Sequence, residues 1–142
     1  MSTGAGTGAK RLLVVDDALF MRRLIGDVAA EAGWEVAGEA ANGEEAVSLY
    51  ARLRPDLVTM DLVMPVMGGL EALRRIREHD PGARVIVVTA LDQKQSLMDS
   101  IRDGAIDFIV KPFERERVVR LLRKLGGEAG ASTGPPPGSG GT

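Results

Sequence analysis

The feature that most constrains the fold is a fivefold alternation of short apolar runs with longer amphipathic stretches. Such alternation marks consecutive βαβ units, because a parallel strand needs a long crossover to bring the chain back to the same end of its sheet. Strands are expected at 12–15, 34–40, 57–60, 85–89 and 105–110. Leu12-Leu13-Val14-Val15, Val85-Ile86-Val87-Val88 and Phe108-Ile109-Val110 are apolar at every position, so helices are expected over both faces of these strands. Trp34-Glu35-Val36-Ala37-Gly38-Glu39 alternates instead, which suits an edge.

Between the strands, Met21, Leu24, Ile25, Val28 and Ala32 form one apolar stripe at helical spacing, and Val118, Leu121, Leu122 and Leu125 form another. Gly33 and Gly104 stand where left-handed C-caps fall, and Asn42 and Asp92 where an N-cap oxygen is wanted. The expected fold class is α/β, a doubly wound five-stranded parallel sheet with helices on both faces. In such a fold the ligand crevice lies at the carboxyl ends of the strands.

A chain of 142 residues that is 44% hydrophobic supports one core and is short for two. The domain is placed at 10–125. Segments 1–9 and 126–142, the latter with Pro135-Pro136-Pro137, are Gly-, Ser-, Ala-, Thr- and Pro-rich and are expected to be disordered. A formal charge of -2 with no run of Lys or Arg argues against direct nucleic-acid binding. No apolar stretch approaches the roughly 20 residues that span a bilayer, and the first ten residues lack the apolar core of a signal peptide, so no membrane insertion is expected. The absence of Cys excludes disulfides and thiolate metal sites and suits a reducing, cytoplasmic location.

The polar residues at the strand ends carry the chemistry. The first strand runs into Asp16-Asp17, the third into Asp61, the fourth ends in Thr89, and the fifth leads to Lys111-Pro112. An isolated acid after a strand is an ordinary helix cap. Three carboxylates in one crevice repel, however, and must hold either protons or a cation. Oxygen donors without His or Cys select a hard ion, and Mg²⁺ is the natural occupant. With Mg²⁺ and the Lys111 ammonium against three carboxylates the cluster is close to neutral. It then tolerates a phosphoryl group, whose oxygens want a divalent ion, a Lys and a hydroxyl such as that of Thr89. A carboxylate can itself be the nucleophile, and Asp61 is the best placed of the three.

Leu12 to Asp17, Met60-Asp61-Leu62-Val63-Met64-Pro65, Thr89-Ala90 and Lys111-Pro112-Phe113 together resemble the bacterial response-regulator receiver family. The resemblance spans the domain and is closest to single-domain chemotaxis regulators of the CheY type, through Asp16-Asp17-Ala18-Leu19-Phe20-Met21-Arg22. It implies a flavodoxin-like sheet of strand order 2-1-3-4-5. It further implies that Asp61 accepts phosphate from a histidine kinase, with Asp16, Asp17, Asp61 and the backbone carbonyl of Val63 holding Mg²⁺. Thr89, Ala90 and Lys111 would bind the phosphoryl oxygens, Phe108 would turn inward on activation, and the bond before Pro112 would be cis. Implied partners are the kinase, a protein target such as the flagellar motor or another chemotaxis protein, and a phosphatase. A phosphorelay intermediate is the alternative role.

Other features lead elsewhere. The Gly4-Ala5-Gly6-Thr7-Gly8-Ala9-Lys10-Arg11 stretch imitates a phosphate loop but precedes a strand and lacks Gly-Lys-Ser/Thr. His79 reads as a helix-end residue and Phe108 as core. Met64 and Met67 read as cover for the site. A Mg²⁺-dependent phosphatase would need a second acid where Ala18 stands. Val63 and Leu91, two residues after Asp61 and Thr89, are expected to overhang the phosphorus and slow hydrolysis.

Overall fold

A computed structural model describes residues 9–127. Ten elements alternate along the chain: β1 (Lys10–Val15), α1 (Leu19–Glu31), β2 (Trp34–Ala40), α2 (Gly43–Leu53), β3 (Leu57–Asp61), α3 (Gly69–His79), β4 (Val85–Ala90), α4 (Lys94–Arg102), β5 (Asp107–Lys111) and α5 (Arg115–Leu125). The five parallel strands pair in the order β2-β1-β3-β4-β5. The chain therefore winds outward from β1 in both directions, and the crevice falls between the carboxyl ends of β1 and β3.

Successive residues of a strand point to opposite faces, so each central strand feeds two cores. Leu13, Val15, Val58, Met60, Val85 and Val87 meet Ala46 and Tyr50 of α2 and Ala72, Leu73 and Ile76 of α3. Leu12, Val14, Leu57, Ile86 and Val88 meet Ile25, Val28 and Ala29 of α1 and Val118, Val119 and Leu122 of α5. Trp34 belongs to this second core, its Nε1 donating to the Leu122 carbonyl at 2.7 Å. It pairs with Lys10 at the amino ends of the strands, opposite the acidic rim.

The punctuation holds in part. Gly33 and Gly104 adopt positive φ, and Asn42 caps α2 by accepting from the Glu45 amide at 2.9 Å. Asp92 does not cap α4. That helix begins at Lys94 with Gln93 at its N-cap position, and the Asp92 carboxylate instead accepts from the Gln93 side chain at 3.4 Å. A turn closed from the Gln93 amide to the Ala90 carbonyl delays the helix by one residue, beyond the reach of an Asp92 cap.

β5 begins at Asp107, not at 105; Ala105 is a buried link whose amide bonds to the Ser100 carbonyl. Phe108 is not core. It is 44% exposed, because β5 lies at the sheet edge. The disorder expected for 1–9 and 126–142 falls almost wholly outside the described residues.

Candidate functional site

β1 and β3 are adjacent, so their ends bring Asp16, Asp17 and Asp61 into one cluster whose ligating oxygens lie within 4.8 Å of one another. Asp16 is fully buried, Asp61 nearly so, and Asp17 exposed. Each polar group of Asp16 is engaged. Its amide donates to the Ala40 carbonyl at 3.0 Å and its Oδ1 accepts from the Ala18 amide at 2.9 Å. Its Oδ2 accepts from Lys111 Nζ at 3.0 Å, and its carbonyl accepts from Arg22 Nη1 at 2.7 Å. A buried carboxylate is tolerable only when satisfied in this way.

Lys111 also lies 3.6 Å from Asp61 Oδ2, so its ammonium bridges two acids. The bond that follows it, Lys111-Pro112, is cis. Burial, and after it the Asp16 charge, raise the Asp61 carboxyl above its ordinary pKa against the opposing pull of Lys111. The Val63 amide adds a long hydrogen bond of 3.4 Å to Asp61 Oδ1. The loop after Asp61 is pressed against its own strand. A Cβ at Gly69 would collide with the Asp61 carbonyl oxygen, so only glycine lets α3 start this close to the acid.

The donor set fits a hard divalent ion. Oxygens bound to one octahedral Mg²⁺ at about 2.1 Å are about 3.0 Å apart when cis and about 4.2 Å when trans, so the trio closes inward to share one. His and Cys are absent from the cluster. Among the described residues this is the one group of three or more acidic, His or Cys side chains able to hold a metal.

The remaining expected residues are arranged less tightly. Thr89 is buried beside the cluster at the end of β4, but its hydroxyl donates to the neighbouring Ala90 carbonyl at 3.3 Å. Ala90 is exposed, as are Val63 and Leu91. Met64 and Met67 are partly buried and pack on the core between the sheet, α2 and α3. His79 ends α3 and is not a member of the clustered group.

One contributor was not legible. Arg22, on α1, spans from the Asp16 carbonyl to Glu39 of β2, its Nε 2.9 Å from Glu39 Oε1. Helical periodicity assigns a charged residue beside Met21 to the solvent face. The only available signal was the length of the side chain, which lets a surface position reach inward.

The response regulator receiver domain model matches residues 12–123 of this chain. The chain belongs to that family. It is 52% identical over 116 residues to the chemotaxis protein CheY of Thermotoga maritima, covering 82% of this chain and 97% of the relative. It is 52% identical over 117 residues to protein CcdB of Bacillus subtilis, covering 82% and 98%. Among solved structures, the CheX-CheY complex of Borrelia burgdorferi with BeF3 and Mg²⁺ matches with a TM-score of 0.78 at 36% identity. That match covers 85% of this chain and 92% of the other. The receiver fold so assigned has the strand order observed here.

Proposed function

We propose that this CheY-type receiver domain is a phosphoacceptor switch that takes a phosphoryl group onto Asp61 from a histidine kinase and signals to a protein partner in chemotaxis. The supporting observation is the convergence of two nearly or fully buried carboxylates and an exposed one with the Lys111 ammonium at a single strand-end crevice. The burial that raises the Asp61 pKa also raises its basicity and hence its strength as a nucleophile.

In the transfer, an Asp61 carboxylate oxygen forms a bond to phosphorus as the bond from phosphorus to the donor imidazole nitrogen breaks. The nitrogen keeps the electron pair. Lys111 turns from its acid partners toward the phosphoryl oxygens, and the Thr89 hydroxyl leaves the Ala90 carbonyl to donate to them. Asp16, Asp17, Asp61 and the Val63 carbonyl would hold Mg²⁺. When bound, that ion neutralises charge on the transferring group. Phe108, 44% exposed at the outset, would turn inward on loading, and Ala90 is small enough to let Thr89 move.

The Borrelia relative, held with BeF3, Mg²⁺ and CheX, supports a protein partner for the loaded state. A flagellar-motor target, a dedicated phosphatase and a cytoplasmic location complete the reading. No helix among the described residues is long and apolar enough to cross a membrane.

Acetyl phosphate with Mg²⁺ should add one phosphoryl group, seen as a single mass increment, and Asp61→Asn should remove it. Full modification of the mutant would reject Asp61, and full modification in EDTA would reject the metal.

A further inference from the structure

We infer that Arg22, restrained by Glu39, is a positioning residue that aims Asp17 into the acidic crevice, an inference that rests on the proposed metal-dependent function. Asp16 is pinned by four hydrogen bonds of its own, but Asp17 is exposed. Among the described residues the Asp17 carboxylate has no hydrogen-bond or ion-pair partner, yet its oxygen lies within 4.8 Å of those of Asp16 and Asp61. Its direction is therefore set through the backbone.

The peptide between the two acids is planar, so fixing the Asp16 carbonyl fixes the plane from which Asp17 projects. Arg22 Nη1 fixes that carbonyl, at 2.7 Å. The Arg22 side chain is itself only 16% exposed, and its Nε is held by Glu39 Oε1 at 2.9 Å. The guanidinium is a rigid fork, so one nitrogen on Glu39 places the other on the carbonyl. Glu39 also keeps the cation from swinging onto Asp17, where it would compete with a divalent ion. The staple thus ties the metal site to the edge strand β2 and to the first turns of α1.

Charge and geometry make opposite forecasts, which gives the test its force. Removing a cation beside three carboxylates should tighten Mg²⁺ binding if only its charge mattered. If Arg22 positions Asp17, removing it should weaken binding, and outer-shell changes of this kind typically cost ten- to a hundredfold in metal affinity. Calorimetric titration with Mg²⁺ should show Arg22→Met about tenfold weaker than wild type. Arg22→Lys, which keeps reach and one donor, should recover most of the loss. Arg22→Met combined with Glu39→Gln should be no weaker than Arg22→Met alone, since Glu39 acts through Arg22.

Amide spectra without metal supply the second arm. Asp17 and Ala18 should shift in Arg22→Met and return in Arg22→Lys, with the core amides unmoved. Unchanged or tighter Mg²⁺ binding by Arg22→Met overturns the inference. If the wild-type chain takes no Mg²⁺ at all, the proposed function falls, and the amide arm alone decides whether Arg22 aims Asp17.

Discussion

The two sides of the crevice are built differently. On the acid side, β3 is buried throughout and β1 from Leu12 onward, α3 buries Gly69, Ala72, Leu73 and Ile76, and Asp16 is bonded at every polar group. On the other side, α4 buries Ser100 alone, and Met98, Ile101, Ile106 and Phe108 are 53%, 43%, 42% and 44% exposed. Segments with few buried contacts open at low free energy and supply the moving parts of switches. The contrast teaches that the acids sit on the tightly packed half, while the loosely packed half, the one fit to move, lies beside Thr89.

The largest expected effect follows from packing. Leu73→Ala in α3 should lower unfolding free energy by about 2–5 kcal/mol, whereas Met98→Ala in α4 should stay within about 0.5 kcal/mol. Urea unfolding measures both, and equal losses would break the contrast. A smaller effect concerns the loops after β3 and β4, whose exposed Val63 and Leu91 are proposed to cover the acid. Replacing Val63 with Asn and Leu91 with Glu should let a water be oriented and speed dephosphorylation by up to about tenfold, roughly 1.4 kcal/mol of barrier. Phosphate release from purified phosphoprotein reads this, and an unchanged half-life in a folded double mutant rejects the gating role.

The third effect is one of sign. Asp61 has a folded pKa above its unfolded one, so its ionisation opposes folding. Without metal, stability should fall as pH rises from about 3.9, the ordinary aspartate value, through the raised one, and the penalty is complete above it. Asp61→Asn should therefore melt higher than wild type at neutral pH. The gain should vanish below the ordinary value, and a lower melting temperature at neutral pH would show the acid side to be free of charge strain. The smallest expected effect is none: Trp34, buried at the far end of β2, should keep its emission on Mg²⁺ addition. Strong saturable quenching would mean that the tightly packed half transmits the event after all.

What was legible in the sequence follows the same divide. The fully apolar runs of β1 and β4 read as strands covered on both faces, and a parallel sheet puts the acids at one rim; that β1 and β3 lie side by side followed from the resemblance, not from the runs themselves. β5 carries an equally apolar run, yet its Phe108 faces outward because an edge has fewer neighbours, a fact of strand order that composition does not encode. Asp92 resembled a cap, but a local turn decided where α4 starts. The direction of the Thr89 hydroxyl and the reach of Arg22 are set by side-chain rotamers, which leave no periodic trace.

The most direct test of the central claim locates the phosphoryl group itself. Borohydride reduces an acyl phosphate to an alcohol, so an aspartyl phosphate becomes homoserine at the modified position. After loading with acetyl phosphate and Mg²⁺, reduction and peptide mass mapping should find homoserine at residue 61 and nowhere else. Homoserine at residue 16 or 17, or phosphate retained on Thr89 or His79, would contradict the assignment of Asp61 as the acceptor.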